Sequence, residues 1–304
     1  MSLLDLAIIG GGPAGVTAGI YAKRAMIEVA LIEKGLIGGQ VALAGEIENY
    51  PGFPRISGLE LASKLEEHAR SVGLEVINGE VLSLTTRNTV KRIRVDSNEL
   101  EAKAVILASG AEPVKLNVEG EEKLVGRGVS YCATCDGPLF KNKVVAVVGG
   151  GDSAVKEAAY LAKIAEKVYL IHRRDKLRAE KIAVHRMLSN PKITPLWSMV
   201  VRKIVGESKV EKLLLEHVVT SEAKELKVDG VFIYIGRRPN TSFVQDVEKD
   251  ESGYVRVDEK MATSVPGVFA AGDCTSPLWR QVAISVGEGA KAAMSAVRYL
   301  ESLA

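Results

Sequence analysis

The chain has 304 residues, 47% of them hydrophobic, and its 40 basic and 38 acidic side chains leave a formal charge of +2. That length suits two domains of about 100–200 residues each, and the near balance gives no reason to invoke nucleic acid or an anionic membrane as a partner. The opening MSLLDLAIIGGGPAG has no basic leader and three glycines interrupt its apolar run, so it reads as neither signal peptide nor membrane span.

Apolar runs of strand length alternate with helical patterns, which predicts an α/β protein with parallel sheets. A short buried strand is expected at 5–10, a helix at about 13–25 and a second strand at 28–33. Leu59, Leu61, Leu65 and Ala69 recur at near-helical spacing within 58–72. Short strands are expected over 74–101 and a buried one at 103–110. A second strand–turn–helix opens at 143–165, with its next strand at 167–174. Short strands then recur up to 229–236, a last buried strand lies at 267–273, and a helix runs from about 280 to 301. The pattern that begins at residue 5 therefore returns at residue 143.

The first turn, Gly10-Gly11-Gly12-Pro13-Ala14-Gly15, is a G-x-G-x-x-G between strand and helix. Glycines there permit a tight turn, close approach of backbone to a pyrophosphate, and close packing of helix on strand. The helix N-terminus adds amide donors and the positive end of its dipole. Glu33 ends the next strand, where a carboxylate accepts hydrogen bonds from ribose hydroxyls. A glycine-rich turn without a ligand is the bland alternative, and the strand, helix and acid in register weigh against it.

The second turn, Gly149-Gly150-Gly151-Asp152-Ser153-Ala154, is a G-x-G-x-x-A. Its following strand ends not in an acid but in His172-Arg173-Arg174, with Arg178 one turn on. Guanidinium forks suit a 2′-phosphate, which points to NADPH, while Asp175 nearby keeps NADH open. A solvated basic cluster is the competing reading. One turn read by Glu and one by Arg suggests a bound flavin and a diffusible nicotinamide, the natural pair for passing hydride. Asp273, at the carboxyl end of the last buried strand, is placed to hold ribityl hydroxyls, although an aspartate there also serves as an ordinary helix cap.

Cysteines occur only at 132, 135 and 274, a sparse odd count that fits a reducing cytoplasm. Cys132 and Cys135 stand in YCATCDGPLF. Zinc would need more ligands, and the four histidines (68, 172, 185, 217) show no ligand spacing. A structural bridge over two residues would close too small a loop to restrain the unfolded chain much. A redox pair, with Asp136 to move protons, suits these residues best. Cys274 reads as a free buried thiol.

In order along the chain, GGGPAG, EKGLIGGQ, IENYPGFP, CATCDGP, GGGDSA, HRRDKLRA and GDCTSPLWRQVA closely resemble the low-molecular-weight thioredoxin reductases. The resemblance implies two Rossmann-like three-layer dinucleotide-binding domains, the second inserted in the first. An FAD domain would span 1–115 and 243–304, and an NADPH domain carrying the cysteine pair would span 116–242. It implies that FAD is lined by Gly10, Gly12, Pro13, Ala14, Gly15, Glu33, Lys34, Gly39, Gln40, Asn49, Val81, Ala108, Ser109, Gly110, Gly272, Asp273, Arg280, Gln281 and Val282. NADPH would be held by Gly149, Gly151, Asp152, Ser153, Ala154, His172, Arg173, Arg174 and Arg178. It further implies a homodimer, rotation of the inserted domain during turnover, a flavin-facing Cys135, and a Cys132 that attacks the disulfide of thioredoxin or of a glutaredoxin-like protein disulfide oxidoreductase. Ser109 stands where the family usually has threonine, and Gly236-Arg-Arg-Pro-Asn240 is more basic than in many relatives. A ferredoxin–NADP reductase has no use for the cysteine pair, and a peroxiredoxin-reducing relative would carry an added N-terminal module where this chain starts directly on its nucleotide strand. A non-catalytic flavin sensor would bind the same cofactors without turnover.

Overall fold

The computed structural model describes residues 3–44, 46–86 and 89–303. In chain order, Leu4–Ile9 (β1), Pro13–Arg24 (α1) and Val29–Glu33 (β2) make the first strand–helix–strand. Glu46–Ile47 (β3) and Ile56–Ser57 (β4) are brief, and Gly58–Ser71 (α2) follows. Then come Glu75–Asn78 (β5), Val81–Thr85 (β6), Lys91–Val95 (β7), Asn98–Leu107 (β8) and Ala111–Pro113 (β9). The middle of the chain supplies Val129–Ser130 (β10), Ala133–Asp136 (α3), Val144–Val148 (β11), Asp152–Leu161 (α4), Lys167–His172 (β12) and Lys181–Leu188 (α5). It continues through Ile193–Trp197 (β13), Met199–Val205 (β14), Lys212–His217 (β15), Ala223–Lys227 (β16) and Gly230–Ile233 (β17). Arg237–Pro239 (β18), Val268–Ala270 (β19) and Val282–Glu301 (α6) close the chain.

The chain folds as two compact units. One comprises Met1–Leu43, Glu48–Glu112 and Arg237–Ala304, and the other comprises Ala44–Ile47 and Pro113–Gly236. The first is built on a sheet in the order β5-β2-β1-β8-β7-β6, with β19 also on β8. β8 is a single ten-residue strand where the sequence pattern suggested two. Its first half pairs antiparallel with β7 through a turn at Asp96 (φ +49°), and its second half runs parallel to both β1 and β19. Strand alternation splits β1 between two cores. Leu6 and Ile8 pack with α1 and α6, whereas Ala7 and Ile9 pack with Leu84, Ile93, Val244 and Val255 on the other face. α1 can lie close to the sheet and to α6 because most of its buried positions are glycine or alanine, namely Ala14, Gly15, Ala18, Gly19 and Ala22. Ser57 caps α2, its hydroxyl accepting the Glu60 N–H at 3.1 Å.

The second unit has an all-parallel sheet, β10-β17-β11-β12-β13, and a three-stranded antiparallel sheet, β14-β15-β16. Val145 and Val147 of β11 face α3, α4 and α5, and Ala146 and Val148 face the antiparallel sheet. The result is three layers. The strand expected over 229–236 ends at Ile233, because the backbone turns through Gly236 (φ +135°), a conformation that glycine adopts without strain.

Candidate functional site

In the first unit, the nucleotide turn joins β1 to α1. The Gly10 N–H donates to the Ile32 carbonyl at 2.8 Å, and the residue has φ +109°. A Cβ on Gly10 would lie 2.3 Å from the Ala108 carbonyl oxygen, and one on Gly15 would lie 1.9 Å from the Gly10 carbonyl oxygen. Gly12 is the opposite case, since a Cβ there would meet nothing within 4 Å. Gly12 is the N-cap of α1, no side chain caps the helix, and Pro13 follows. The N-terminus of α1 is thus left without a side-chain cap and with open space beside Gly12, which is what an anionic pyrophosphate needs. The donor set fits a dinucleotide.

Glu33, at the carboxyl end of β2, accepts the Gly11 N–H at 2.5 Å and the Gly35 N–H at 2.7 Å, which fixes both of its oxygens beside the turn. The Gly38 N–H donates to the Gly11 carbonyl at 2.8 Å, and Gly39 and Gln40 open a short helical turn that starts against Gly12. Lys34 reaches Glu80 at 3.2 Å on the surface, next to Val81, the half-buried first residue of β6. Ala108, Ser109 and Gly110 follow β8. The side-chain amide of Asn240 donates to the Ser109 carbonyl at 3.1 Å, and its backbone N–H donates to the Gly110 carbonyl at 3.0 Å.

Beyond β19, Gly272 (φ +78°) turns the chain into Asp273. Burial pushes the Asp273 carboxyl above the usual carboxylate range, and the guanidinium groups of Arg237 and Arg280 pull against that shift. Arg237 Nη1 lies 3.9 Å from Asp273 Oδ2. Gln281 is the N-cap of α6, and its Oε1 accepts from Asn49 Nδ2 at 3.1 Å. Val282 begins the helix. The structure thus gathers the glycine turn, Glu33, Gly39, Asn49, residues 108–110 and residues 272–282 into one unit, although they come from both ends of the chain.

Two residues of this site escape sequence reasoning. Glu288, on α6, accepts the Gly272 N–H through Oε2 at 2.7 Å. Arg237 stands at the start of β18, and its ion pair with Asp273 spans a sequence distance that no local pattern reports. Cys274 is fully buried, its thiol pushed up to about 11 by burial. Its Sγ contacts the Leu107 and Ala271 carbonyls at 3.4 Å, which suits a packed thiol and not a reactive one.

In the second unit, Gly149 (φ +152°) repeats the role of Gly10, since a Cβ there would meet the Tyr234 carbonyl oxygen at 2.3 Å and the Ala154 Cβ at 2.8 Å. Gly151, the N-cap of α4, again faces open space and has no side-chain cap. Ser153 sits exposed in the first turn. Asp152 Oδ1 accepts the Glu180 N–H at 2.9 Å, so this carboxylate already helps hold the following loop. His172 is buried beneath Gly150, whose Cβ would fall within 2.1 Å of the ring, and Nε2 contacts the Lys176 carbonyl at 3.1 Å. Its pKa is lowered first by burial and then by the three neighbouring arginines. A neutral, packed imidazole shapes this turn from below. Arg173, Arg174 and Arg178 are exposed, and none pairs with a carboxylate among the described residues. The Arg178 N–H donates to the Gly150 carbonyl at 2.7 Å, tying the basic loop to the glycine turn.

Cys132 and Cys135 form a disulfide with Cα atoms 5.3 Å apart. Cys132 precedes α3, Cys135 lies within it, and both are half-buried. Ser130 Oγ accepts the Cys132 N–H at 3.1 Å, and the Tyr234 hydroxyl accepts the Ala133 N–H at 2.5 Å. Tyr234 is a third residue hidden from sequence reasoning, because it looked like one more apolar strand position. Asp136 follows Cys135 directly in the chain, and its Oδ1 is sealed from solvent. α3 packs against α4, so the disulfide and the second nucleotide turn share one helix as support. No metal-binding cluster of His, Cys, Asp and Glu occurs, and no helix is long and apolar enough to cross a membrane, among the described residues.

The model of the pyridine nucleotide-disulphide oxidoreductases matches residues 4–289. Thioredoxin reductase of Bacillus subtilis is 46% identical over 303 residues, covering 99% of this chain and 96% of that protein. The Treponema pallidum thioredoxin reductase is 44% identical over 300 residues, covering 98% of each. The crystal structure of thioredoxin reductase from Streptococcus pyogenes superposes with a TM-score of 0.94 at 45% identity, covering 99% of both chains. A cysteine pair on a helix that packs against the second nucleotide-turn helix, a first turn in a unit drawn from both chain ends and this match over nearly every residue lead to one placement: the chain belongs to the pyridine nucleotide-disulphide oxidoreductases, within the low-molecular-weight thioredoxin reductases.

Proposed function

We propose that the chain is an NADPH-dependent thioredoxin-disulfide reductase carrying FAD. Flavin and pyridine nucleotide use go with the family, and the identities FAD and NADPH rest on the residues. The observation that carries the reading is the Cys132–Cys135 disulfide, held on the helix that packs against the second nucleotide-turn helix. The amides at the start of α1, Glu33, Asn49 and residues 272–282 would hold FAD. The start of α4 and Arg173, Arg174 and Arg178 would hold NADPH, their unpaired guanidinium groups suiting a 2′-phosphate better than a bare ribose. When bound, the flavin supplies the two-electron link between nicotinamide and disulfide.

The protein's own chemistry is thiol–disulfide exchange. Once the Cys132–Cys135 bond has taken up an electron pair, the Cys132 thiolate attacks a sulfur of the partner's disulfide and expels the other sulfur as a thiolate. The Cys135 thiolate then attacks Cys132 in that mixed disulfide, which releases the partner as a dithiol and restores the Cys132–Cys135 bond. Asp136 moves the proton that the thiol gives up and the leaving thiolate takes on. Rotation of the inserted domain would gate the cycle. Thioredoxin or a glutaredoxin-like protein disulfide oxidoreductase would be the partner, the working form a homodimer, and the compartment a reducing cytoplasm.

The test is NADPH oxidation at 340 nm by the purified yellow protein, with thioredoxin and a glutaredoxin-like protein supplied in parallel. Turnover with either partner, abolished in Cys135→Ser, is the expected result. Full partner reduction by Cys135→Ser would sink the disulfide relay. Binding of both cofactors without turnover by the wild type would favour a sensor.

A further inference from the structure

We propose that Glu288 is a positioning residue for the flavin, acting through the Gly272 backbone amide to fix the turn that presents Asp273. This rests on the flavin reading above and adds a residue that no sequence motif reveals.

The turn is held from several sides. Glu288 Oε2 accepts the Gly272 N–H at 2.7 Å. The Gly272 carbonyl accepts two bonds from Thr275, one from its N–H and one from its hydroxyl, each at 2.9 Å. Gly272 itself is wedged between helices, since a Cβ there would meet Ala14 Cβ at 3.1 Å and Ser285 Oγ at 3.6 Å. The Glu288 backbone cannot drift away, because its neighbour Gly289 is pressed onto α1, where a Cβ would lie 2.2 Å from the Ala14 carbonyl oxygen. α6 therefore acts as a fixed post, and Glu288 is the hook between that post and the Gly272–Asp273 turn.

The charge environment shows that the hook is not an ordinary surface acid. Burial raises the Glu288 pKa, the Gly272 amide lowers it, the Asp273 charge raises it and Lys291 lowers it. Asp273 is raised by burial as well and is opposed by Arg237 and Arg280. α1, which packs on the same turn, brings no acid in its first turn, and its basic residues Lys23 and Arg24 lie at its far end. Two half-buried carboxylates next to each other are unfavourable for folding alone. The arrangement makes sense if the turn must be held in one shape for a ligand. A glutamate on the solvent face of a helix would need none of these partners.

The experiment compares Glu288→Ala, which removes the acceptor, with Glu288→Gln, which keeps an acceptor oxygen and removes the charge. Flavin-stripped protein is titrated with FAD, and urea unfolding of each flavin-free form checks the fold. Losing a charge-assisted hydrogen bond to an amide corresponds to about a tenfold or greater change in affinity. The expected result is an FAD Kd raised at least about tenfold in Glu288→Ala, recovery to within about threefold of wild type in Glu288→Gln, and unchanged urea midpoints. A wild-type Kd in Glu288→Ala overturns the proposal, as does an equal loss in both variants. A urea midpoint that falls in step with the affinity loss also overturns it, because the residue is then merely structural. Absence of FAD binding by the wild-type chain would sink the functional reading, and this proposal with it, a result distinct from the other three.

Discussion

The sharpest separation of folding from cofactor binding lies within one turn. Gly15→Ala places a methyl 1.9 Å from the Gly10 carbonyl oxygen, a backbone atom that cannot rotate away. α1 would have to lift from β1, and overpacking of this kind costs about 1–3 kcal/mol or more. Gly12→Ala meets nothing within 4 Å and has φ −71°, which any residue adopts. In the flavin-free chain it should cost only about 0.5–1 kcal/mol, the N-cap preference of glycine over alanine. The same methyl would occupy the space where α1 offers its amides. Losing one charge-assisted bond there is worth about 1.5–3 kcal/mol, or about 10–100-fold in affinity. Urea unfolding of flavin-free protein followed by circular dichroism, and titration with FAD, read the two quantities separately. Gly15→Ala should fail in the first assay, and Gly12→Ala should fail only in the second. A Gly12→Ala protein that binds FAD as tightly as wild type would refute the placement of the pyrophosphate.

The Arg173→Ala/Arg174→Ala double variant should lower kcat/KM for NADPH by about tenfold or more while leaving NADH within about threefold, because only NADPH carries the phosphate that the forks suit. An unchanged coenzyme ratio would remove the clamp. The acid at 273 predicts a pH dependence. A carboxyl whose folded pKa is raised stabilises the fold below its unfolded value of about 4, and that contribution is lost as pH rises through the folded pKa. In that window Asp273→Asn should show a flatter urea-midpoint profile than wild type in flavin-free protein. A parallel profile would show that Asp273 titrates normally.

Local chemistry made much of this protein legible. Both glycine turns could be read because each requires a fixed spacing within one strand–helix crossover, and Glu33 and Arg173 follow at the end of the next strand for the same reason. The cysteine pair was equally local. What stayed hidden depends on contacts between distant segments. Glu288 looks like any polar position on an amphipathic helix until α6 is seen to pack on α1. Tyr234 looks like a strand residue until its hydroxyl is seen at the Ala133 amide. His172 read as part of a phosphate-binding run, and only the fold shows that its ring sits under Gly150. β8 merged two expected strands because it has different partners along its length, a property of the sheet and not of the segment.

β19 has a further consequence in the order of events during synthesis. Val268 pairs with Val105 and Ala270 with Leu107, and α6 then packs on α1. The strand and helix that complete the first unit thus leave the ribosome last, after the whole inserted unit has been made. Pairings of such high sequence separation form slowly. The inserted unit, whose parallel sheet draws only on residues between 129 and 233, can fold while its host is still unfinished. A ribosome stalled shortly before β19 should hold a folded disulfide-bearing unit attached to an incomplete first unit. The chain therefore acquires its disulfide-bearing unit before β19 can pair with β8 and α6 can pack on α1 to complete the other.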